Sequence, residues 1–98
     1  IFNAITTGGA AEAYQHEGRN RFTVREFLHA FDQTALLCKM NYLPPFVVQG
    51  THRLLNEKLV EYADQYQKLL ELILNNKLDL EAAKHAAFLN NILEHINQ

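Results

Sequence analysis

Five histidines and one cysteine are the side chains of this 98-residue sequence best suited to chemistry. A helical metal site needs neutral imidazoles converging with carboxylates at i, i+3 or i, i+4, and Glu81 with His85 has that spacing. Two side chains do not complete a site, and His95 lies about 80° from His85 around the same helix. His85 therefore reads as a boundary residue with one hydrogen-bond partner, and no metal ligand is assigned. A nucleophile needs an adjacent base or cation. Cys38 falls on what periodicity makes a packed face, Lys39 points elsewhere, and there is no serine. Gly8-Gly9 lacks both the following lysine and the strand-loop-helix context of a phosphate-binding loop. No catalytic residue, cofactor or enzymatic activity is expected.

His52-Arg53-Leu54-Leu55-Asn56 opens what looks like a long helix. This pentapeptide resembles the phosphoacceptor hairpin of histidine kinases, whose motif reads His-Arg-x-x-Asn. The resemblance implies that His52 accepts a phosphoryl group, that Asn56 supports it, and that the hairpin pairs with a second copy into a four-helix bundle. It covers five residues, and Lys58 stands where that family carries a leucine. On the helical wheel His52 falls within about 20° of Leu59 and Ala63, so spacing alone reads it as a packing residue. Arg19, Arg21 and Arg25 form a second cluster that could contact a phosphate or an acidic partner. Glu17 and Glu26 flank it without a series of stacking aromatics, which reads as a solvated arm.

The elements that position these residues all read as helical. In "FTVREF", Thr23 and Glu26 have the spacing of a capping box, and Phe22 and Phe27 that of a hydrophobic staple. A helix is expected over about 24–42, burying Val24, Phe27, Leu28, Phe31, Ala35, Cys38 and Tyr42 on one face. Leu36, Leu37 and Met40 form a second apolar face on its C-terminal half. Pro44 and Pro45 stop it. Leu55, Leu59, Tyr62, Tyr66, Leu69 and Ile73 alternate steps of four and three, predicting a second helix to about residue 75 that begins near Phe46 or at Thr51–His52. Asn75 or Asn76 ends it in a left-handed conformation, and Asp79 caps a third helix over about 80–97. That helix is expected to bury Ala82, Ala86, Leu89, Ile92, Leu93 and Ile96, with the alanines against Tyr62 and Tyr66.

The resulting expectation is all-α: a small bundle of three main helices over 22–98, the last two an antiparallel hairpin, preceded by a partly ordered arm over 1–21. A net charge of −2 draws the chain to neither nucleic acid nor an anionic membrane. One unpaired cysteine, with no signal-peptide pattern, fits a cytoplasmic, reducing compartment. A start at Ile1 rather than methionine fits an excised domain. The functional expectation is a non-enzymatic interaction or regulatory module, partnered by another protein or by itself as a homodimer. Its surface would be Leu36, Leu37 and Met40, with Phe2 and Ile5 of the arm. The alternatives are phosphotransfer through His52 and a helical metal-binding domain.

Overall fold

Two short apolar stretches, Ala4–Thr6 (β1) and Phe46–Val48 (β2), lie side by side as parallel strands in the computed structural model, which describes residues 1–96. Ala4 pairs with Phe46, Ile5 with Val47 and Thr6 with Val48. Outside the strands the ladder continues from the Phe46 amide to the Asn3 carbonyl at 2.9 Å and from the Thr7 amide to the Val48 carbonyl at 2.9 Å. The chain is thus an α/β unit, and the all-α bundle expected from periodicity is overturned. The cause is the burial of β2: all three of its residues are buried, so the strand is apolar throughout and shows no alternation.

Helices cover both faces of this pair. On one side Val24 and Leu28 pack with Val47, joined by Ile5, Tyr14 and Phe88. On the other, Phe46 and Val48 join Leu43, Leu69, Ala83, Leu89 and Leu93, with Phe2, Tyr62 and Tyr66 against them. The first side is covered by α1 (Val24–Phe27), which α2 (His29–Leu37) follows in the chain. The elements of the second are α3 (Asn56–Leu74), α4 (Leu80–His85) and α5 (Leu89–Ile96).

Local signals in the sequence are realised where they are purely local. The Thr23 hydroxyl accepts from the Glu26 amide at 3.1 Å, the Glu26 carboxylate accepts from the Thr23 amide at 3.0 Å, and the Phe22 and Phe27 rings meet edge to face at 5.8 Å. Asp79 caps α4 by accepting from the amides of Glu81 and Ala82, and Asn76 takes the left-handed conformation at φ 56°.

The expected helix boundaries, by contrast, fail where tertiary contacts intervene. The helix expected over 24–42 breaks at Leu28 and ends at Leu37, with Lys39 at φ 59°. As a result Phe27, Phe31 and Cys38 are exposed rather than packed. The second helix begins at Asn56, since residues 46–48 are strand and Gly50, at φ 67°, turns the chain into a single 3₁₀ turn over Thr51–Arg53. The third divides at 86–88. There the Leu89 amide donates to the Pro45 carbonyl at 2.9 Å, and the Asn90 side chain accepts from the Val47 amide and donates to the Val47 carbonyl, both at 2.9 Å. These bonds turn α5 onto the outer edge of β2 and override the helical propensity of Ala86-Ala87. Ala83 is fully buried in place of Ala82 and Ala86, and Tyr66 packs on Phe46 at 5.3 Å. Ile96, expected in the core, and residue 97, expected to end the helix, fall at positions whose side chain or whole placement lies outside the described set.

Replacing Asn90 by alanine leaves both peptide groups of the buried Val47 without partners, and is expected to cost about 2–3 kcal/mol in chemical denaturation. Glu26 titrates below its ordinary value of 4.5, first because it accepts from the Thr23 amide and then because it pairs with His16. A carboxylate whose folded pKa is lowered stabilises the fold above its unfolded pKa, and that contribution is lost as pH falls through the folded value. Denaturation midpoints measured from pH 6 downward are therefore expected to fall less steeply in Glu26→Gln than in the parent below about pH 4.5.

Candidate functional site

In parallel sheets ligands gather outside the carboxyl ends of the strands, where loops converge and helices begin. Here those ends carry Thr6-Thr7-Gly8-Gly9-Ala10 after β1 and Gln49-Gly50-Thr51-His52 after β2. The two loops are laced together: the Gly50 amide donates to the Gly9 carbonyl at 2.9 Å and the Thr51 amide to the Thr7 carbonyl at 3.1 Å. Thr7 Oγ1 donates to the Gly9 carbonyl at 2.9 Å.

Glycine is required at two of these positions for different reasons. A β-carbon on Gly8 would lie 2.6 Å from His52 Nε2, so the imidazole rests directly on the Gly8 backbone. Gly50 needs the left-handed conformation in which its φ of 67° places it. Among the described residues the amides of Gly8, Gly9 and Ala10 have no hydrogen-bond acceptor, and Gly8 and Ala10 are exposed. Successive free amides in a glycine turn form a concavity suited to an anion or to the acceptor edge of a polar ring.

A floor adjoins this loop. Tyr14, Asn20, Phe27 and Thr7 line a cleft of about 290 Å³, with Ile5, Val24 and Leu28 beneath. Tyr14 meets Phe27 edge to face at 6.1 Å. The segment returning from Tyr14 is pinned by the Asn20 amide on the Ala13 carbonyl at 3.0 Å and by a 2.6 Å contact between His16 Nε2 and Glu26 Oε1.

The residues singled out by sequence are placed as follows. His52 is exposed at the strand ends, on Gly8, and not on the packed side of a long helix. Phe2 and Ile5 pack into the cores on opposite faces of the sheet, so they do not join Leu36, Leu37 and Met40, which are 67%, 74% and 50% exposed. Arg19 and Arg21 are exposed, while Arg25 donates to the Ala87 carbonyl at 3.4 Å. The Glu81 carboxylate lies 3.8 Å from Lys84 Nζ, and no group of three potential metal ligands forms among the described residues. His95 lies at a position whose side chain is not described. Sequence reasoning missed the site's centre, Thr6 to Ala10 with Tyr14. Its signal was present: a short apolar run ending in Thr-Thr-Gly-Gly, ahead of an aromatic residue.

Residues 1–70 match a family described by its flavodoxin-like fold. The chain belongs to that family. Within it, the chain is 32% identical over 68 residues to the glutathione-regulated potassium-efflux system ancillary protein KefG of Salmonella paratyphi B, and equally to KefG of Salmonella newport. Each alignment covers 69% of this chain and 37% of the relative, so the chain spans 37% of the length of the curated relatives it matches. A crystal structure of a thermophilic tryptophan halogenase (Th-Hal) from Streptomycin violaceusniger superposes with a TM-score of 0.65 and 33% identity. It covers 68% of this chain and 39% of that one.

These likenesses overturn the helical interaction module, the histidine-kinase hairpin and the helical metal-binding domain together, because the family is α/β and the 46–53 segment is strand and loop. No described helix is long and apolar enough to cross a membrane.

Gly8→Ala is the smallest change that disturbs the junction of the two loops. It is expected to shift the His52 ring resonances in an NMR spectrum while those of Val24 and Leu69, in the two cores, stay in place.

Proposed function

We propose that this flavodoxin-like chain contributes to a flavin-dependent redox protein, with the flavin held by the loop at the carboxyl end of β1. The observation that supports this reading is the exposed glycine turn whose three free amides, at Gly8, Gly9 and Ala10, lie at the carboxyl end of a parallel strand. Flavodoxin-like sheets bind flavin mononucleotide at such strand ends. The residues present fit that group by the chemistry of the donor set, successive backbone amides of a glycine turn that have no acceptor among the described residues.

In this arrangement the amides of Gly8, Gly9 and Ala10 donate to acceptor atoms of the cofactor. His52 bounds the loop from the β2 side, and Tyr14 bounds it from the segment that follows. Thr7 holds the turn open through its bond to the Gly9 carbonyl. A bound flavin supplies reversible electron and hydride transfer. The cleft beside Tyr14 and Asn20, apolar at its base through Val24 and Leu28, is where a planar reducible substrate would be shielded from water.

The name of the KefG relatives describes an ancillary component of a glutathione-regulated potassium-efflux system. By that likeness, the partner of the whole protein would be another protein, the efflux system that such an ancillary protein serves.

Titration of flavin mononucleotide with the protein, followed by quenching of flavin fluorescence, is expected to saturate at one equivalent. Gly8→Val, which masks the amides and displaces His52, is expected to weaken binding tenfold or more with the circular dichroism spectrum retained. Equal affinity in the variant would contradict the assignment to this loop.

A further inference from the structure

Tyr14, the wall of the cleft, is carried by a segment bonded mainly to itself. Over residues 10–21 the Ala13 amide donates to the Ala10 carbonyl at 3.0 Å, Tyr14 to Ala11 at 3.1 Å and Gly18 to Gln15 at 2.9 Å. The Asn20 amide then returns to the Ala13 carbonyl at 3.0 Å, and Arg21 to Gly18 at 3.1 Å. A loop of this length closed on itself is a compact unit, so a contact at one point of it constrains Tyr14 and Asn20 together.

Its ties to the rest of the chain are few. Tyr14 packs edge to face on Phe27, beside the cluster of Val24, Leu28 and Val47. Among the described residues one hydrogen bond joins 10–21 to a helix or strand, the 2.6 Å contact of His16 Nε2 with Glu26 Oε1. The same Oε1 accepts from the Thr23 amide at 3.0 Å and closes the cap of α1. The cap fixes where the carboxylate stands, and the next residue, Phe27, carries the ring on which Tyr14 rests. One oxygen thus secures both the start of α1 and the far end of the Tyr14 segment.

Among the described residues, His16 is the one charged side chain that contributes to the lowered pKa of Glu26. The other titratable and charged groups nearby are Glu12, Glu17, Arg19 and Arg21 on the same segment and His29 on α2, all exposed. Arg25 of α1 is engaged with the Ala87 carbonyl. From the end of β2, His52 rests on Gly8, and the adjoining Gly9 lies against the Tyr14 ring.

We propose that Glu26 is a positioning residue for Tyr14, acting through His16, and that this pair is a pH-sensitive clasp on the wall of the cleft. Imidazoles lose their proton between about pH 5 and 8. Below that range, and above the point where Glu26 takes up its proton, both partners are charged and the bond is strongest. Raising the pH removes the imidazolium, and lowering it far enough neutralises the carboxylate. Either change loosens the segment that carries Tyr14 and Asn20 along the 290 Å³ cleft. His16 is 69% exposed, so water screens the pair and its hold is modest. The clasp rests on these contacts alone, whereas its effect on a cofactor rests on the flavin reading, in which Tyr14 bounds the loop.

Tyr14 ring resonances followed by NMR from about pH 3.5 to 8.5 test it, with the Leu69 methyls as a reference for the intact core. Two steps are expected, one between about pH 5 and 8 and one below the ordinary carboxylate value of 4.5. Glu26→Gln, which keeps a side chain able to close the cap, should remove both. His16→Lys, which keeps a cation opposite Glu26 and does not titrate in this range, should lose the upper step and retain the lower. Between pH 5.5 and 8 the affinity for flavin mononucleotide is expected to fall about threefold more in the parent than in His16→Lys. Tyr14 resonances that stay flat from pH 5 to 8 would overturn the proposal. So would an upper step that survives in His16→Lys, which would assign it to His52 or another histidine, or flavin affinities that fall equally in both proteins. Absence of flavin binding at both pH values would instead count against the flavin reading, with the Tyr14 steps still deciding the clasp.

Discussion

The parallel ladder between Ala4–Thr6 and Phe46–Val48 is the constraint on which the rest of the structure depends. Parallel strands cannot be joined by a tight turn, so the chain between them must cross over, and α1 and α2 are that crossover. A sheet buried on both faces then needs a cover on each. Val24 and Leu28 supply one, and Leu69, Leu89 and Leu93 the other. The same ladder brings two loops to one end, where Gly8 and His52 meet. Site and core are thus consequences of one pairing.

Tertiary hydrogen bonds decide where local preference stops. Residues 80–97 read as one helix, and the chain divides it because the Leu89 amide and the Asn90 side chain are worth more at the edge of β2 than in a continuous helix. An edge strand left bare at Val47 would carry an unpaired donor and acceptor in a buried setting. One asparagine supplies both missing partners. Among the described residues no comparable closure is found at Ala4 and Thr6, so the two edges of the pair differ.

How much of this was legible in the sequence depended on the range of the interactions involved. Thr23 with Glu26, Asp79 as a cap and Asn76 as a left-handed terminus depend on neighbours only a few residues away, and all are found. The α3 stripe announced a helix correctly, although Leu59 on it is exposed and Leu55 lies just ahead of the helix. The strands themselves were illegible to periodicity. "AIT" is three residues long, and "FVV" is apolar throughout because both of its faces are buried. Without the strands, Thr-Thr-Gly-Gly looked like part of a partly ordered arm, and the missing lysine argued against a phosphate loop of another fold. His52 drew notice as a helix-start residue, but what positions it is Gly8, 44 residues earlier and adjacent only through the ladder.

The central claim is that residues 3–7 and 46–48 pair in parallel and so join the Gly8 and His52 loops. Scalar couplings transmitted through hydrogen bonds, measured on isotopically labelled protein, report this directly. The account predicts couplings from the Phe46 amide to the Asn3 carbonyl and from the Thr7 amide to the Val48 carbonyl, with contacts between Gly8 and the His52 ring. Helical amide–amide contacts running unbroken through residues 46–56, with no coupling to residues 3–7, would contradict it.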